Sequence, residues 1–160
     1  MESKYFQDHL VGNVCFGCGR ENEAGLQISS FWEGEEAVCY WESEEKYQGW
    51  KGIMNGGILA TLIDCHTMNT AMAAAYAAED RALDSQPVYR YATGTITVKY
   101  LRPTPNDQPV ELRATVTEIK GRKVRLNCIV KSKDIVTAEA QVIAIRVFDS
   151  SEEKHGVFGG

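Results

Sequence analysis

From Gly52 to Ala78 nearly every position is apolar or small, and Asp64 is the only charged residue in the run. Ile, Leu, Met and Ala recur there without leaving a polar stripe, a pattern that predicts a helix buried on all sides. Asn55 is a favoured N-cap, so the helix is expected to begin at about Gly56. It should reach Tyr76 or Ala78, where Glu79-Asp80-Arg81 returns the chain to solvent. At about 20 residues it would be about 30 Å long. Elsewhere the period is two. Gly25 to Phe31 and Ala37 to Trp41 flank the turn signal Glu33-Gly34 and predict a hairpin. A polar, irregular stretch from Leu83 to Tyr91 precedes strict alternation from Thr95 to Leu101, which Arg102-Pro103-Thr104-Pro105 ends. Val110 to Ile119, Lys123 to Lys131 and Ile135 to Phe148 alternate again across short polar links, which implies antiparallel pairing. The fold class is therefore α+β, two strands, one long helix and four strands. A helix apolar all round needs a sheet curled about it or a second subunit over it, and both devices point to an oligomer.

Composition narrows this reading. With 160 residues and 44% apolar content, one domain over residues 1–160 is expected, its core about 14–148 between polar tails. The apolar segment is broken by Asp64, His66 and Asn69 and falls short of the roughly 20 residues of a membrane span. Met1 to Leu10 lacks the basic-then-apolar order of a secretory signal, so a cytoplasmic protein is expected. A net charge of -5 argues against nucleic-acid binding, which calls for clustered Lys and Arg. Five cysteines without an export signal read as reduced thiols. Cys15 and Cys18 form a lone CxxC; His9 and Cys39 could add ligands, but no second pair at metal spacing follows, so a tight glycine-rich loop is expected and no metal.

The chemistry centres on Asp64. Its helical neighbours Ala60, Thr61, Thr67 and Met68 include no basic partner, and burying a carboxylate is costly, which marks it as a general base or nucleophile. Asn55, Gly56 and Gly57 open the helix, where free N–H groups and the dipole favour a developing oxyanion. Seven residues separate Gly57 from Asp64, about 10 Å at about 1.5 Å per residue, too far for both to reach one carbonyl from one helix. If both act, one comes from a second subunit. Cys65 and His66 point about 100° apart and make a poor dyad. Tyr47-Gln48-Gly49-Trp50-Lys51-Gly52 is a loop of large side chains suited to gripping a ligand, and Arg90, Lys99, Arg102, Arg122 and Lys123 lie at strand ends and turns, as a solvated edge or a phosphate-binding rim.

Four groups of residues, in order, resemble the hotdog-fold acyl-CoA thioesterases of the PaaI-like branch. They are Cys15-Phe16-Gly17-Cys18-Gly19 with Asn22 and Gly25-Leu26; Tyr47-Gln48-Gly49-Trp50 leading to Gly56-Gly57; Asp64; and Thr93 to Pro103. The resemblance covers roughly residues 14–148. It implies a curved antiparallel sheet wrapped on the long helix, protomers joined sheet edge to sheet edge, and active sites at the interface of a dimer or a dimer of dimers. It further implies an acyl-CoA substrate with no metal or redox cofactor. Asp64 would activate water or attack the thioester, the partner's Gly57 N–H would polarise the carbonyl, and Thr93 would help to place the water. Gln48 would lie near the thioester, and Arg102 or Arg122 would hold the phosphates of coenzyme A. Where the family usually has His-Gly-Gly this chain has Asn55-Gly56-Gly57. Asn cannot titrate near neutrality, so the alternative is a non-catalytic domain that binds acyl-CoA or another small ligand.

Overall fold

The computed structural model describes residues 2–152. Helix α1 spans Gly56–Ala78, 23 residues, and Asn55 caps it through its side-chain oxygen, which accepts from the N–H groups of Gly57 and Ile58. From Asn69 to Tyr76 every residue is buried, so the C-terminal half of α1 is enclosed on all sides, as its lack of a polar face requires. The N-terminal half is not. Thr61, Asp64 and Met68, spaced as one helical stripe, stay half-buried. The expectation of a helix buried on all sides is corrected for this half: the stripe that carries Asp64 faces an opening.

Six strands form one antiparallel sheet about the helix. They are β1 Phe31–Glu33, β2 Glu36–Trp41, β3 Tyr89–Tyr100, β4 Val110–Lys120, β5 Lys123–Ser132 and β6 Ile135–Asp149, in the spatial order β1-β2-β4-β5-β6-β3. Alternation along β5 buries Val124, Leu126, Cys128 and Val130 against the core and leaves Lys123, Arg125 and Asn127 outside. Ile28, Leu62, Ile63 and Leu112 are fully excluded from solvent and belong to the main core cluster.

Two expected boundaries differ. Gly25 to Ser30 is not a strand, although Leu26, Ile28 and Ser30 are buried at period two. The N–H groups of Leu26 and Ile28 donate to Phe16 and Gly17 in the preceding loop, and Gln27 takes a positive φ of 54°, so the hairpin begins only at Phe31. Conversely, Tyr89 to Tyr91, expected to be irregular, already pair with β6, so β3 is 12 residues long. It lies on the sheet edge and runs antiparallel to α1. The Tyr100 hydroxyl donates to Gly56 O at the helix start, at 2.7 Å, and the Tyr89 N–H donates to the Tyr76 hydroxyl near the helix end, at 3.0 Å.

Candidate active site

The opening beside the Thr61–Met68 stripe is a cavity of about 620 Å³ between α1, the first residues of β3 and the loop 10–18. Asp64, Cys65, Met68, Asn69 and Met72 reach it from the helix, and Tyr91 and Thr93 from the strand. Thr93 donates its hydroxyl to Asp64 Oδ1 at 2.5 Å. A bulge positions it: Thr93 pairs with Ala144 and Thr95 with Ile143, so Gly94 is the extra residue, and the local kink turns Thr93 toward the helix. Gly94 is required there because a Cβ would stand 2.8 Å from Ile145 Cδ1 and 3.0 Å from Ile143 O. One Asp64 oxygen is thus engaged by a donor, and the rest of its carboxylate borders a cavity otherwise rich in Met and Tyr side chains.

His66, two positions on, points into the opposite wall. It is fully buried, its Nε2 is 3.0 Å from Ala37 O and its Nδ1 is 2.7 Å from the Ser30 hydroxyl. A carbonyl can only accept, so Nε2 carries the hydrogen and Nδ1 accepts from Ser30. Gln7 closes the network: its amide nitrogen donates to Ser30 Oγ at 3.0 Å, and its oxygen accepts the Ser30 N–H at 2.8 Å. Burial pushes the imidazole down to about 4, against a smaller opposing effect of the Ala37 hydrogen bond. His66 is a neutral tie between α1, β2 and the N-terminal segment, with no route to the cavity.

The remaining candidates divide among other places. Asn55 and Gly56 line a second cavity of about 570 Å³ with Trp50, Leu101 and Arg102. Gly57 is exposed at the same helix start, but its N–H already donates to Asn55 Oδ1 at 2.7 Å. Gln48 is spent on its own loop: its amide nitrogen donates to Glu45 O at 2.9 Å and its oxygen accepts the Gly52 N–H at 2.6 Å. Arg122 lies at the β4–β5 turn beside Glu118, Lys120, Lys123 and Arg125, with its guanidinium 3.1 Å from Glu152. Within one chain, Asp64 and Thr93 are therefore brought together, whereas the helix start, Arg102 and Arg122 lie apart from them. Of the methionines, Met68 and Met72 border the Asp64 cavity and Met54 the second one, an assignment that helical periodicity could not make.

Cys65 was overlooked as a partner of the CxxC loop. Its Sγ is 3.8 Å from that of Cys15, and hydrogen bonding with Cys65 holds the Cys15 thiol down at about 5, well below the usual thiol range. The signal in the sequence was one more cysteine 47 positions beyond Cys18, too remote for a spacing rule. Cys39 is elsewhere in the core, where burial pushes it up to about 12, and His9 bonds to Ser3 O at 2.9 Å.

One curved antiparallel sheet around one long helix, with a carboxylate on the helix facing an edge strand, defines a hotdog-fold protein. Residues 51–139 match the thioesterase superfamily, more than half of the chain, and the chain belongs to that family. Acyl-coenzyme A thioesterase THEM4 of Bos taurus is 26% identical over 141 residues, 87% of this chain and 53% of that protein, so the chain spans about half the length of this relative. A thioesterase superfamily protein from Shewanella loihica is 26% identical and matches with a TM-score of 0.63, covering 76% of this chain and 91% of that one. The PaaI protein of E. coli shares the fold at 15% identity, with a TM-score of 0.64 over 81% of this chain and 88% of its own. Among the described residues, no helix is long and apolar enough to cross a membrane.

Proposed function

We propose that the chain hydrolyses the thioester of an acyl-coenzyme A, at a site completed by a second copy of itself. The observation that carries this reading is the Asp64–Thr93 pair on the wall of a cavity with an apolar side, in a chain of the thioesterase superfamily. Thr93 occupies one carboxylate oxygen, leaving the other to take a proton from an attacking water. Met68, Met72 and Tyr91 offer the apolar wall that an acyl chain needs. The protein acts in the cytoplasm in this reading, where its five free cysteines stay reduced.

The second copy supplies the helix start. Among the described residues, strand β3 pairs with β6 on one side and has no strand on the other, and an open edge is a template for pairing. Antiparallel β3–β3 pairing about a two-fold axis between Ile96 and Thr97 sets Thr93 opposite Tyr100 of the partner subunit. Because Tyr100 is bonded to Gly56, this register supports delivery of the partner subunit's Gly57 to the Asp64 end of the strand. Exposed apolar groups beside the helix start support the same covering: Trp50 is 83% exposed and Leu101 50%. In this arrangement the Gly57 N–H polarises the thioester carbonyl, Gly56 borders the bound thioester, and Arg102, in the helix-start cavity, holds a phosphate of coenzyme A. Arg122 and Gln48 are weaker candidates because Glu152 and the loop backbone engage them. The oxyanion must compete with Asn55 Oδ1 for Gly57, so that donor is worth less than the roughly 3–4 kcal/mol of an unencumbered one.

The direct test is thiol release from a panel of acyl-CoA substrates by the wild type and Asp64→Ala. Release by the wild type alone supports hydrolysis, and equal background rates in both would sink it. The occupied Gly57 N–H and the untitratable Asn55 favour one second reading, a domain that binds acyl-CoA without turning it over. Calorimetry would then show binding that Asp64→Asn leaves intact, with no thiol released by the wild type.

A further inference from the structure

Three thiols from distant parts of the chain converge on the wall of the Asp64 cavity. Cys15 and Cys18 come from the glycine-rich loop and Cys65 from α1, and their sulfurs all lie within 4.8 Å of one another. Two sulfurs bound at about 2.3 Å to one tetrahedral ion stand about 3.8 Å apart. Cys15 and Cys65 are 3.8 Å apart, far beyond the roughly 2.05 Å of a disulfide.

The surroundings of Cys15 and Cys18 are those of thiolates rather than of packed thiols, with the Cys65 thiol as hydrogen-bond donor to both. The Gly17 N–H donates to Cys15 Sγ at 3.3 Å, and the Cys18 N–H is directed at the same sulfur. Two carboxamides converge on Cys18 Sγ, Asn13 at 3.6 Å and the buried Asn69 at 3.5 Å. N–H groups directed at sulfur are the outer-shell feature that tunes metal–thiolate centres. The loop is also shaped for close approach, since a side chain on Gly17 would collide with Cys65 Sγ and one on Gly19 with the Cys15 backbone. Neither of the other two cysteines joins the group: Cys39 and Cys128 are buried in the sheet.

We propose that Cys15, Cys18 and Cys65 bind one soft divalent ion of the zinc type through three thiolates, with the fourth tetrahedral position opening on the Asp64 cavity. This reverses the expectation of no metal, which rested on the absence of a second closely spaced pair. Soft thiolate donors select zinc over magnesium or calcium, and binding releases the remaining thiol protons to solvent. The ion pins the loop 13–19 to the helical turn that carries Asp64, so it fixes one wall of the cavity and performs no step of hydrolysis.

The test is cobalt(II) titration of the full chain in a phosphine reductant, followed by displacement with zinc(II). The expected result is about one ion per chain, with a thiolate-to-cobalt charge-transfer band and the visible bands of tetrahedral cobalt. Cys15→Ser and Cys65→Ser should each weaken binding by about 100-fold or more and shrink the charge-transfer band, while Cys128→Ala binds as the wild type does. Should Cys65→Ser fail to fold, Cys15→Ser, at a half-buried position, carries the test alone. A cobalt complex without thiolate charge transfer, or undiminished binding by Cys15→Ser, overturns the proposal. None of these readouts depends on thioester hydrolysis.

Discussion

Asp64 and His66 stand two positions apart on α1, about 200° around its axis, and the walls they face give them opposite tasks. The His66 wall is closed: Ser30 and Ala37 satisfy the two imidazole nitrogens, Gln7 holds Ser30 in place, and burial keeps the ring neutral. The Asp64 wall is open, with Thr93 the one side-chain donor to the carboxylate among the described residues, and a cavity behind it. A buried titratable group with every hydrogen bond made contributes to stability and specifies packing. A half-buried one with unspent acceptor capacity can meet a substrate. Sequence adjacency therefore says little about shared chemistry on a helix, whereas the wall each residue faces says a great deal.

The strongest way to break the comparison is Asp64→Asn. Loss of the base should cut thiol release by about 10²- to 10⁴-fold while the melting temperature stays within a few degrees, and an unaltered rate would place the chemistry elsewhere. His66→Ala should do the reverse, costing about 2–4 kcal/mol in urea unfolding with kcat/KM per folded molecule preserved. Acid sharpens the same contrast. His66 has a folded value of about 4 against an unfolded value of about 6.5, so protons bind the unfolded chain more tightly. Its contribution is fully present above pH about 6.5 and is lost as the pH falls toward about 4, amounting to about 3 kcal/mol. Urea midpoints across that window should show this loss in the wild type and not in His66→Gln.

Smaller effects test how the open wall is completed. Asn55→Gly removes the oxygen that competes for the Gly57 N–H and costs only a few tenths of a kcal/mol as a cap. Turnover should rise by up to about tenfold, the worth of one hydrogen bond, and a fall would show that Asn55 itself assists. Thr93→Val keeps the shape and deletes the donor to Asp64. A roughly fivefold loss in kcat with little change in KM is expected from about 1 kcal/mol.

Legibility followed the range of the determining interactions. Helix α1 and strands β4 to β6 could be read to within a residue or two, because capping, alternation and turn chemistry are local. Asp64 and Asn55 stood out by burial cost and capping preference alone. The segment Gly25–Ser30 misled because its alternating burial is strand-like while its hydrogen bonds go to the loop at Phe16 and Gly17. The start of β3 was hidden because Tyr89 to Tyr91 are held by β6, more than 50 residues away. Cys65 was missed for the same reason, since nothing near it in the chain announces the thiols that meet it. The competition between Asn55 and an oxyanion was foreseeable in principle, as a good cap consumes the very donor that catalysis would borrow.

Strand β3 touches the helix at Tyr100–Gly56, Thr93–Asp64 and Tyr89–Tyr76. It therefore acts as a ruler laid along α1, on which the bulge at Gly94 is a fixed mark. Inserting or deleting one residue between Thr93 and Tyr100 would swing one of those contacts to the opposite face of the sheet. The turn at Gly34, between β1 and β2 at the opposite sheet edge, bears no such constraint. Changes in chain length are thus tolerable at the turns and intolerable on β3, where counting residues is the same as aiming the hydroxyl at the carboxylate.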